Sequence, residues 1–285
     1  MIEGKIEKNI NLAPLTTFKI GGPAKYFCQV KTEEELIQVI KWAKKKKIPY
    51  FVIGGGSNLL ISDKGFKGLV IKLSMEQCQL VGNKLLLGSA LRLSQTVMFL
   101  VKNNLTGLEW AAGIPGTVGG AVRGNAGAFG QEISNCLLKV TVLREGEVIE
   151  LKNKEIRFAY RQSIFKKNKD IILNVVLSLK KGKNQENEKI IQDILQRRRK
   201  SHPSQPSAGC VFKNPKLSSA GLLIDKCGLK GRQIGGAKIS EKHANFIINT
   251  GQAKARDVKN LIELIKKQVK DKFNIELKEE IEYLG

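Results

Sequence analysis

The chain has no long apolar run and no segment of signal-peptide type. Apolar stretches such as Leu59–Ile61 and residues 171–173 fall far short of the roughly 20 residues that cross a bilayer. The first ten residues, MIEGKIEKNI, contain acidic side chains and no apolar stretch of the kind that directs secretion. We therefore expect no membrane insertion, and a cytoplasmic location.

Cysteine and histidine are too few and too scattered to form a metal site. None of the cysteines forms a CxxC pair, and the two histidines are far from all of them in sequence. The odd number of cysteines also argues against a disulfide framework. We expect no metal, and we expect at least four of these residues to be small buried side chains; the set is Cys28, Cys78, Cys136, Cys210 and Cys227.

Aromatic residues make up only 6% of the chain, whereas basic residues are in large excess. The formal net charge of +23 favours anionic partners: nucleic acid, an anionic membrane or a phosphorylated small molecule. No basic run is interleaved with the aromatics that a nucleic-acid stacking surface requires. Many lysines instead fall on the outer faces of predicted helices, so nucleic-acid binding is the weaker interpretation and we expect none.

The pattern of elements predicts an α+β fold. A strand over 24–30 precedes a helix capped by Thr32, and PYFVI forms the next strand. Short strands follow, with a helix at about 94–104 and a hairpin turn at Glu145-Gly146. A helix ending in the basic, Pro/Ser-rich segment RRRKSHPSQPS introduces the last part, which ends with a strand in IELKEEIEYL. We divide the chain into residues 1–73, 74–185 and 186–285.

Two glycine-rich loops suggest a cofactor with phosphate groups. GGGSN at 54–58 follows a strand, but it matches neither the dinucleotide fingerprint nor the phosphate loop of nucleotide hydrolases. By itself it is equally well an ordinary turn. The second loop, AAGIPGTVGGAVRGNAGAFG at 111–130, contains seven glycines in twenty residues. Such a backbone can lie flat against a ligand with its N–H groups directed at phosphates, so the pair predicts a dinucleotide site.

An ordered set of motifs resembles one family over nearly the whole chain. The motifs are TTFKIGGPA, GGGSNLLISDKGFKGLVIKL, GLEWAAGIPGTVGGAVRGNAG, FAYRQS, SAGCVFKNP, AGLLIDKCGLKG and IGGAKISEKHANFIIN. Together they resemble the UDP-N-acetylenolpyruvoylglucosamine reductases, flavoenzymes of bacterial cell-wall precursor synthesis. The glycine loops alone would indicate only the wider flavin-binding superfamily of vanillyl-alcohol-oxidase type.

The resemblance implies a two-part FAD-binding domain of that type and a C-terminal α+β substrate-binding domain. FAD would be bound non-covalently, and NADPH would be the co-substrate. The substrate would be a UDP-sugar enolpyruvyl ether, with hydride added at C3 and a proton at C2. We expect a monomer. The residues assigned to FAD are Gly54, Gly55, Gly56, Ser57, Asn58, Gly113, Pro115, Gly116, Thr117, Gly119, Gly120, Asn125, Ala126 and Gly127.

Three residues match the family's catalytic positions. Arg161, in FAYRQS, would stabilise negative charge on the substrate carboxylate, and Glu280, in LKEEIEYLG, would assist at the same group. Glu279 competes with Glu280, because strand alternation lets only one of the two face the site. Without the resemblance, a surface ion pair and a solvated strand residue would be the better interpretations of Arg161 and Glu280.

Cys210 lies where many family members have a serine that donates a proton. A thiol, with a pKa of about 8.5, is a stronger acid than a serine hydroxyl, but a thiolate cannot donate. We therefore predict a site that keeps Cys210 protonated beside its cations. Taken without the family, Cys210 would be one more small buried residue.

The remaining assignments concern the substrate. Asn214 matches a family position, and Lys200 lies where the family contacts the diphosphate, although Arg197–Arg199 compete for that role. Tyr160 and His243 are weaker candidates, since a lone histidine is more often structural. A different flavin oxidase or dehydrogenase on the same scaffold is the main alternative function.

Overall fold

The computed structural model describes residues 2–285, with side chains from residue 4 onward. The helices are α1 Glu33–Lys45, α2 Leu93–Lys102, α3 Val118–Gly124, α4 Asn184–Ser201, α5 Ala220–Lys226 and α6 Ala255–Phe273. The strands are β1 Glu7–Asn11, β2 Pro23–Val30, β3 Tyr50–Ile53, β4 Leu59–Ile61, β5 Phe66–Leu73, β6 Cys78–Val81, β7 Lys84–Gly88, β8 Leu105–Thr106, β9 Gly127–Ala128, β10 Gln131–Glu132, β11 Leu137–Arg144, β12 Glu147–Lys152, β13 Ile171–Ser178, β14 Lys180–Lys181, β15 Ser207–Cys210, β16 Gln233–Ile234, β17 Ala237–Ile239, β18 Phe246–Asn249 and β19 Glu282–Leu284.

The chain forms two compact units that are discontinuous in sequence. The first unit comprises residues 2–5, Cys28–Gly55 and Ile71–Arg198. The second comprises Ile6–Phe27, Gly56–Val70 and Arg199–Gly285. The division into 1–73, 74–185 and 186–285 stays a prediction.

The first unit is built on a five-stranded antiparallel sheet with the order β12-β11-β13-β7-β6. Its core includes Leu87, Val140 and Val175, none of which is exposed. The turn between β11 and β12 is the predicted Glu145-Gly146 hairpin. Both residues adopt positive φ, +54° and +103°. A two-residue hairpin turn requires this conformation when its twist matches that of the strands it joins.

The second unit packs α5 and α6 with the sheet β15-β18-β17-β16. A separate parallel pair joins β4 to β19. Asp63, which follows β4, caps α6: its carboxylate accepts hydrogen bonds from the backbone N–H groups of Ala255 (2.7 Å) and Arg256 (3.2 Å). The cap satisfies two of the four donors that a helix leaves unpaired at its start.

Several predicted elements are confirmed and others need correction. Thr32 accepts a hydrogen bond from the Glu35 N–H at 3.2 Å and caps α1 as expected. In the sheet of order β1-β2-β5-β3, β5 lies between the two strands that flank α1.

The last predicted strand is too long, because regular pairing covers only β19. The preceding backbone changes partners: the Glu280 N–H donates to the Val211 carbonyl, and the Glu282 N–H donates to the Asn58 carbonyl.

No helix within residues 2–285 combines the length and the apolar character needed to cross a membrane.

Candidate active site

The first unit brings together the start of GGGSN and the second glycine loop. A Cβ added to Gly55 would lie 2.7 Å from the Gly116 Cα, and one added to Gly54 would lie 2.8 Å from the Thr117 Oγ1. Thr117 caps α3, and its hydroxyl accepts a hydrogen bond from the Gly120 N–H at 3.3 Å. Gly55 is therefore required by the close approach of two backbones, whereas Gly54 leaves room for the Thr117 side chain.

The other predicted cofactor residues of this unit follow the same loop. Gly113 and Pro115 are exposed ahead of α3, Gly119 is buried within it and Gly120 is exposed. Ala126 and Gly127 are half-buried beyond the helix, and the Ala126 N–H donates to the Ala121 carbonyl at 2.8 Å. Asn125 ends the helix and is completely buried.

Ser89 is a residue of this region that the sequence did not indicate. Its carbonyl accepts a hydrogen bond from the Gly119 N–H at 2.8 Å. Its hydroxyl is buried and has no hydrogen-bond partner among the described residues, and the same holds for the indole N–H of Trp110. The available signal was the small-residue pair Gly88-Ser89 at the end of the predicted strand KLLLG.

Arg161 lies in a tight turn of the first unit beside the second loop. Ala159 and Gln162 exchange backbone hydrogen bonds of 3.1 and 2.9 Å across the turn. The guanidinium of Arg161 donates to the Gly127 carbonyl at 2.7 Å. It also lies 5.2 Å from the ring centroid of Tyr160, which is 48% exposed.

The second unit places Cys210 at the end of β15 next to a β-bulge. Cys210 pairs with Phe246 and Ser207 pairs with Ile248. Between these two pairs, β15 therefore contains one residue more than β18. Gly209 adopts φ +79° inside the bulge, a conformation that favours glycine. Bulges re-aim the side chain that follows them, and Cys210 is half-buried at this point.

The same unit holds Glu280 close to this strand. The Glu280 N–H donates to the carbonyl of Val211, the residue after Cys210, at 2.8 Å. The Asn58 amide donates to the Glu280 carbonyl at 3.0 Å, so this predicted cofactor residue fixes the backbone of Glu280. Gly56, which is buried at φ +60°, and the half-buried Ser57 precede it.

Glu279 is engaged elsewhere. Its carboxylate forms an ion pair with Lys266 and accepts a hydrogen bond from the Tyr283 hydroxyl. Burial, followed by this hydrogen bond, raises the pKa of Tyr283. Burial would lower the pKa of Lys266, but the hydrogen bonds to Glu279 and Glu263 raise it overall. The Glu279 carboxylate is thus used by other side chains of the second unit, and the assignment of Glu280 to the substrate stays a prediction.

Two further residues assigned to the substrate, Asn214 and Lys200, lie at the surface of the second unit. Asn214 is exposed, and its Oδ1 accepts a hydrogen bond from the Ala220 N–H at 3.0 Å at the start of α5. Lys200 is exposed near the end of α4.

The Nδ1 atom of His243 accepts a hydrogen bond from the Asn245 N–H at 3.2 Å. Its ring lies 5.0 Å from that of Phe246 and 5.5 Å from that of His202. Burial lowers the pKa of His243, which favours the neutral ring that this hydrogen bond requires.

Comparison with known proteins gives the same result for both parts of the chain. Residues 24–152 match the FAD binding domain model, and residues 201–284 match that of the UDP-N-acetylenolpyruvoylglucosamine reductase C-terminal domain. The UDP-N-acetylenolpyruvoylglucosamine reductase of Caldanaerobacter subterraneus subsp. tengcongensis is 45% identical over 99% of this chain and 95% of its own. The chain belongs to the UDP-N-acetylenolpyruvoylglucosamine reductase family.

Other members of the reductase family agree. The UDP-N-acetylenolpyruvoylglucosamine reductase 1 of Bacillus cereus is 44% identical over 99% of this chain and 95% of its own. The crystal structure of the reductase from Thermus caldophilus superposes with a TM-score of 0.86 at 36% identity, covering 98% of this chain and 99% of that one. The α+β fold is thereby confirmed, and so is the expectation of an FAD-dependent oxidoreductase.

The residues of the first unit fit the FAD expected in this reductase family. Gly54, Gly55 and Gly120 expose backbone without side chains, and the buried Ser89 hydroxyl has no hydrogen-bond partner in the part of the chain that the structure describes. Bare backbone and unsatisfied polar groups suit a ligand that carries a diphosphate.

Proposed function

We propose that this enzyme reduces UDP-N-acetylglucosamine enolpyruvate to UDP-N-acetylmuramate during peptidoglycan precursor synthesis, with NADPH as the co-substrate. The hydrogen bond from the Glu280 N–H to the Val211 carbonyl carries the proposal. It holds the family's C-terminal glutamate beside the strand that presents Cys210. The bulged end of that strand supports the proposal as well, because β-bulges occur often next to active sites.

FAD, held by the glycine loops of the first unit, would supply the hydride chemistry between NADPH and C3 of the enolpyruvyl group. Cys210 holds the proton that C2 receives, which makes this thiol the general acid. The guanidinium of Arg161 stabilises the negative charge that hydride addition builds on the substrate carboxylate. Glu280 assists at that carboxylate, where only its protonated form can donate a hydrogen bond.

The other substrate contacts follow from charge and exposure. Lys200 is an exposed cation suited to the diphosphate of the UDP group, and Arg197 and Arg199 are exposed alternatives on the same helix. The Asn214 amide nitrogen and the exposed ring of Tyr160 are further contacts on this proposal. We also propose that the enzyme works as a monomer in the cytoplasm.

Stopped-flow absorbance of the flavin tests the proposal. NADPH should reduce the flavin of Cys210→Ala at the wild-type rate, whereas reoxidation by the enolpyruvyl sugar should slow by about 10²-fold or more, the usual contribution of a general acid. Cys227→Ala, which removes another half-buried thiol of the second unit, is the matched control and should reoxidise normally.

Two results would contradict the proposal. If the enolpyruvyl sugar fails to reoxidise the reduced wild-type flavin, the substrate assignment is wrong. If Cys210→Ala reoxidises at the wild-type rate, the donor assignment is wrong. Cys210→Ser should retain part of the rate, because a hydroxyl can still donate.

A further inference from the structure

Asn125 has an unusual position for a residue assigned to a cofactor. It ends α3 with left-handed backbone angles of φ +44° and ψ +59° and is 0% exposed. Asparagine tolerates this conformation better than most residues with a Cβ. A side chain with no accessible surface cannot contact a ligand unless the loop around it opens.

The side-chain amide of Asn125 is used by protein partners. Its Nδ2 donates to the Ala159 carbonyl at 3.1 Å, and its Oδ1 accepts from the Ser134 N–H at 3.4 Å. Its own backbone carbonyl accepts a hydrogen bond from the Arg161 Nη1 at 3.4 Å. One residue thus holds both the backbone and the guanidinium of the turn that carries Arg161.

That turn is conformationally strained at Arg161. The residue adopts φ +54°, in the left-handed region that side chains with a Cβ rarely occupy. Such conformations persist where surrounding contacts hold them, and they occur often at functional sites. A second contact holds the far side of the turn, since the buried Ser163 hydroxyl donates to the Arg123 carbonyl at 2.7 Å.

We infer that Asn125 is a positioning residue for Arg161 and not a ligand of FAD. The inference rests on the proposed role of Arg161 at the substrate carboxylate. Asn125 fixes the strained turn, and the turn fixes the direction from which the guanidinium leaves the backbone. A displacement of about 1 Å at such a group can cost on the order of 10²-fold in rate.

The test separates cofactor binding from positioning. Asn125→Gly allows the left-handed backbone and removes both hydrogen bonds of the side-chain amide. Asn125→Asp keeps the acceptor for Ser134, but it replaces the donor to Ala159 with an oxygen and adds a carboxylate charge. Both variants should keep the flavin-to-protein ratio and the NADPH reduction rate of the wild type. Reoxidation by the enolpyruvyl sugar should be slower by about 10- to 100-fold.

A matched control accounts for general destabilisation. Asn187 is also a buried asparagine of the first unit, 3% exposed, and its Nδ2 donates to the Leu105 carbonyl at 2.9 Å. Asn187→Ala should lower the thermal midpoint without changing reoxidation. Asn125→Asp covers the case in which Asn125→Gly leaves the loop unfolded, which circular dichroism would reveal.

A double-mutant cycle with Arg161→Ala identifies the pathway of the effect. If Asn125 acts through Arg161, adding Asn125→Asp to Arg161→Ala should slow reoxidation no further. Additive losses, a loss of bound flavin in Asn125→Asp, or normal reoxidation in that variant would each overturn the inference alone. Normal reoxidation in Arg161→Ala would overturn the proposed role of Arg161 and the inference with it.

Discussion

Replacing Gly55 by alanine would place a methyl group against the backbone of the second glycine loop. The added Cβ would lie 2.7 Å from the Gly116 Cα and 3.3 Å from the Gly116 carbonyl carbon. Carbon atoms in good contact are about 3.5–4.0 Å apart, so one loop must move by about 0.8 Å or more. Gly55 does not adopt a positive φ, and the cost is therefore steric.

We expect this overpacking to destabilise the protein by about 1–3 kcal/mol, since backbone cannot rotate away as a side chain can. The thermal midpoint should fall by several degrees, and the flavin-to-protein ratio after gel filtration should fall as well. Gly124→Ala is the matched control, because a Cβ there meets nothing within 4 Å and alanine favours the helix. A Gly55→Ala protein with the midpoint and flavin content of the wild type would refute the reasoning.

Two further predictions concern stability. Asp63→Ala should lower the free energy of unfolding, measured in urea, by about 1–2 kcal/mol, because the N–H groups of Ala255 and Arg256 lose their cap. Asp63→Asn should lose less stability than Asp63→Ala. Equal stability of the wild type and both variants would contradict the capping role. Burial raises the pKa of Cys136 to about 12, above its value in the unfolded chain. The stability gained from the protonated thiol is therefore fully present below about pH 8.5, the unfolded pKa, and is lost as the pH rises toward 12. Urea unfolding at a series of pH values should show a flatter alkaline decline for Cys136→Val than for the wild type, and parallel curves would exclude this contribution.

Local patterns were sufficient to predict the elements whose signals lie within a few residues. The helix after Thr32 was predictable because its cap, its acidic first turn and its apolar spacing are all contained in one segment. The Glu145-Gly146 turn was predictable for the same reason. Strand β15 was not, because its existence depends on pairing with β18, about forty residues further along, and its own segment is rich in proline and serine.

In the candidate site, too, features encoded in a short segment could be predicted, whereas those that depend on distant contacts could not. The glycine loops indicated a phosphate-bearing cofactor by composition alone. The ion pair of Glu279 with Lys266 could not be predicted from the sequence. The neighbours of Asn58 and Asn125 were likewise inaccessible to sequence reasoning, because the partner carbonyls are 222 and 34 residues away.

The pairing of β4 with β19 has a consequence for how the protein is made. Leu59, Leu60 and Ile61 are buried, yet the strand that covers their edge is synthesised much later than they are. Until then this apolar segment has no native partner along that edge, and unpaired strand edges are prone to aggregate. The second unit can therefore form this pair only after Glu282–Leu284 has been synthesised, and a nascent chain stalled before Glu282 should depend on chaperones.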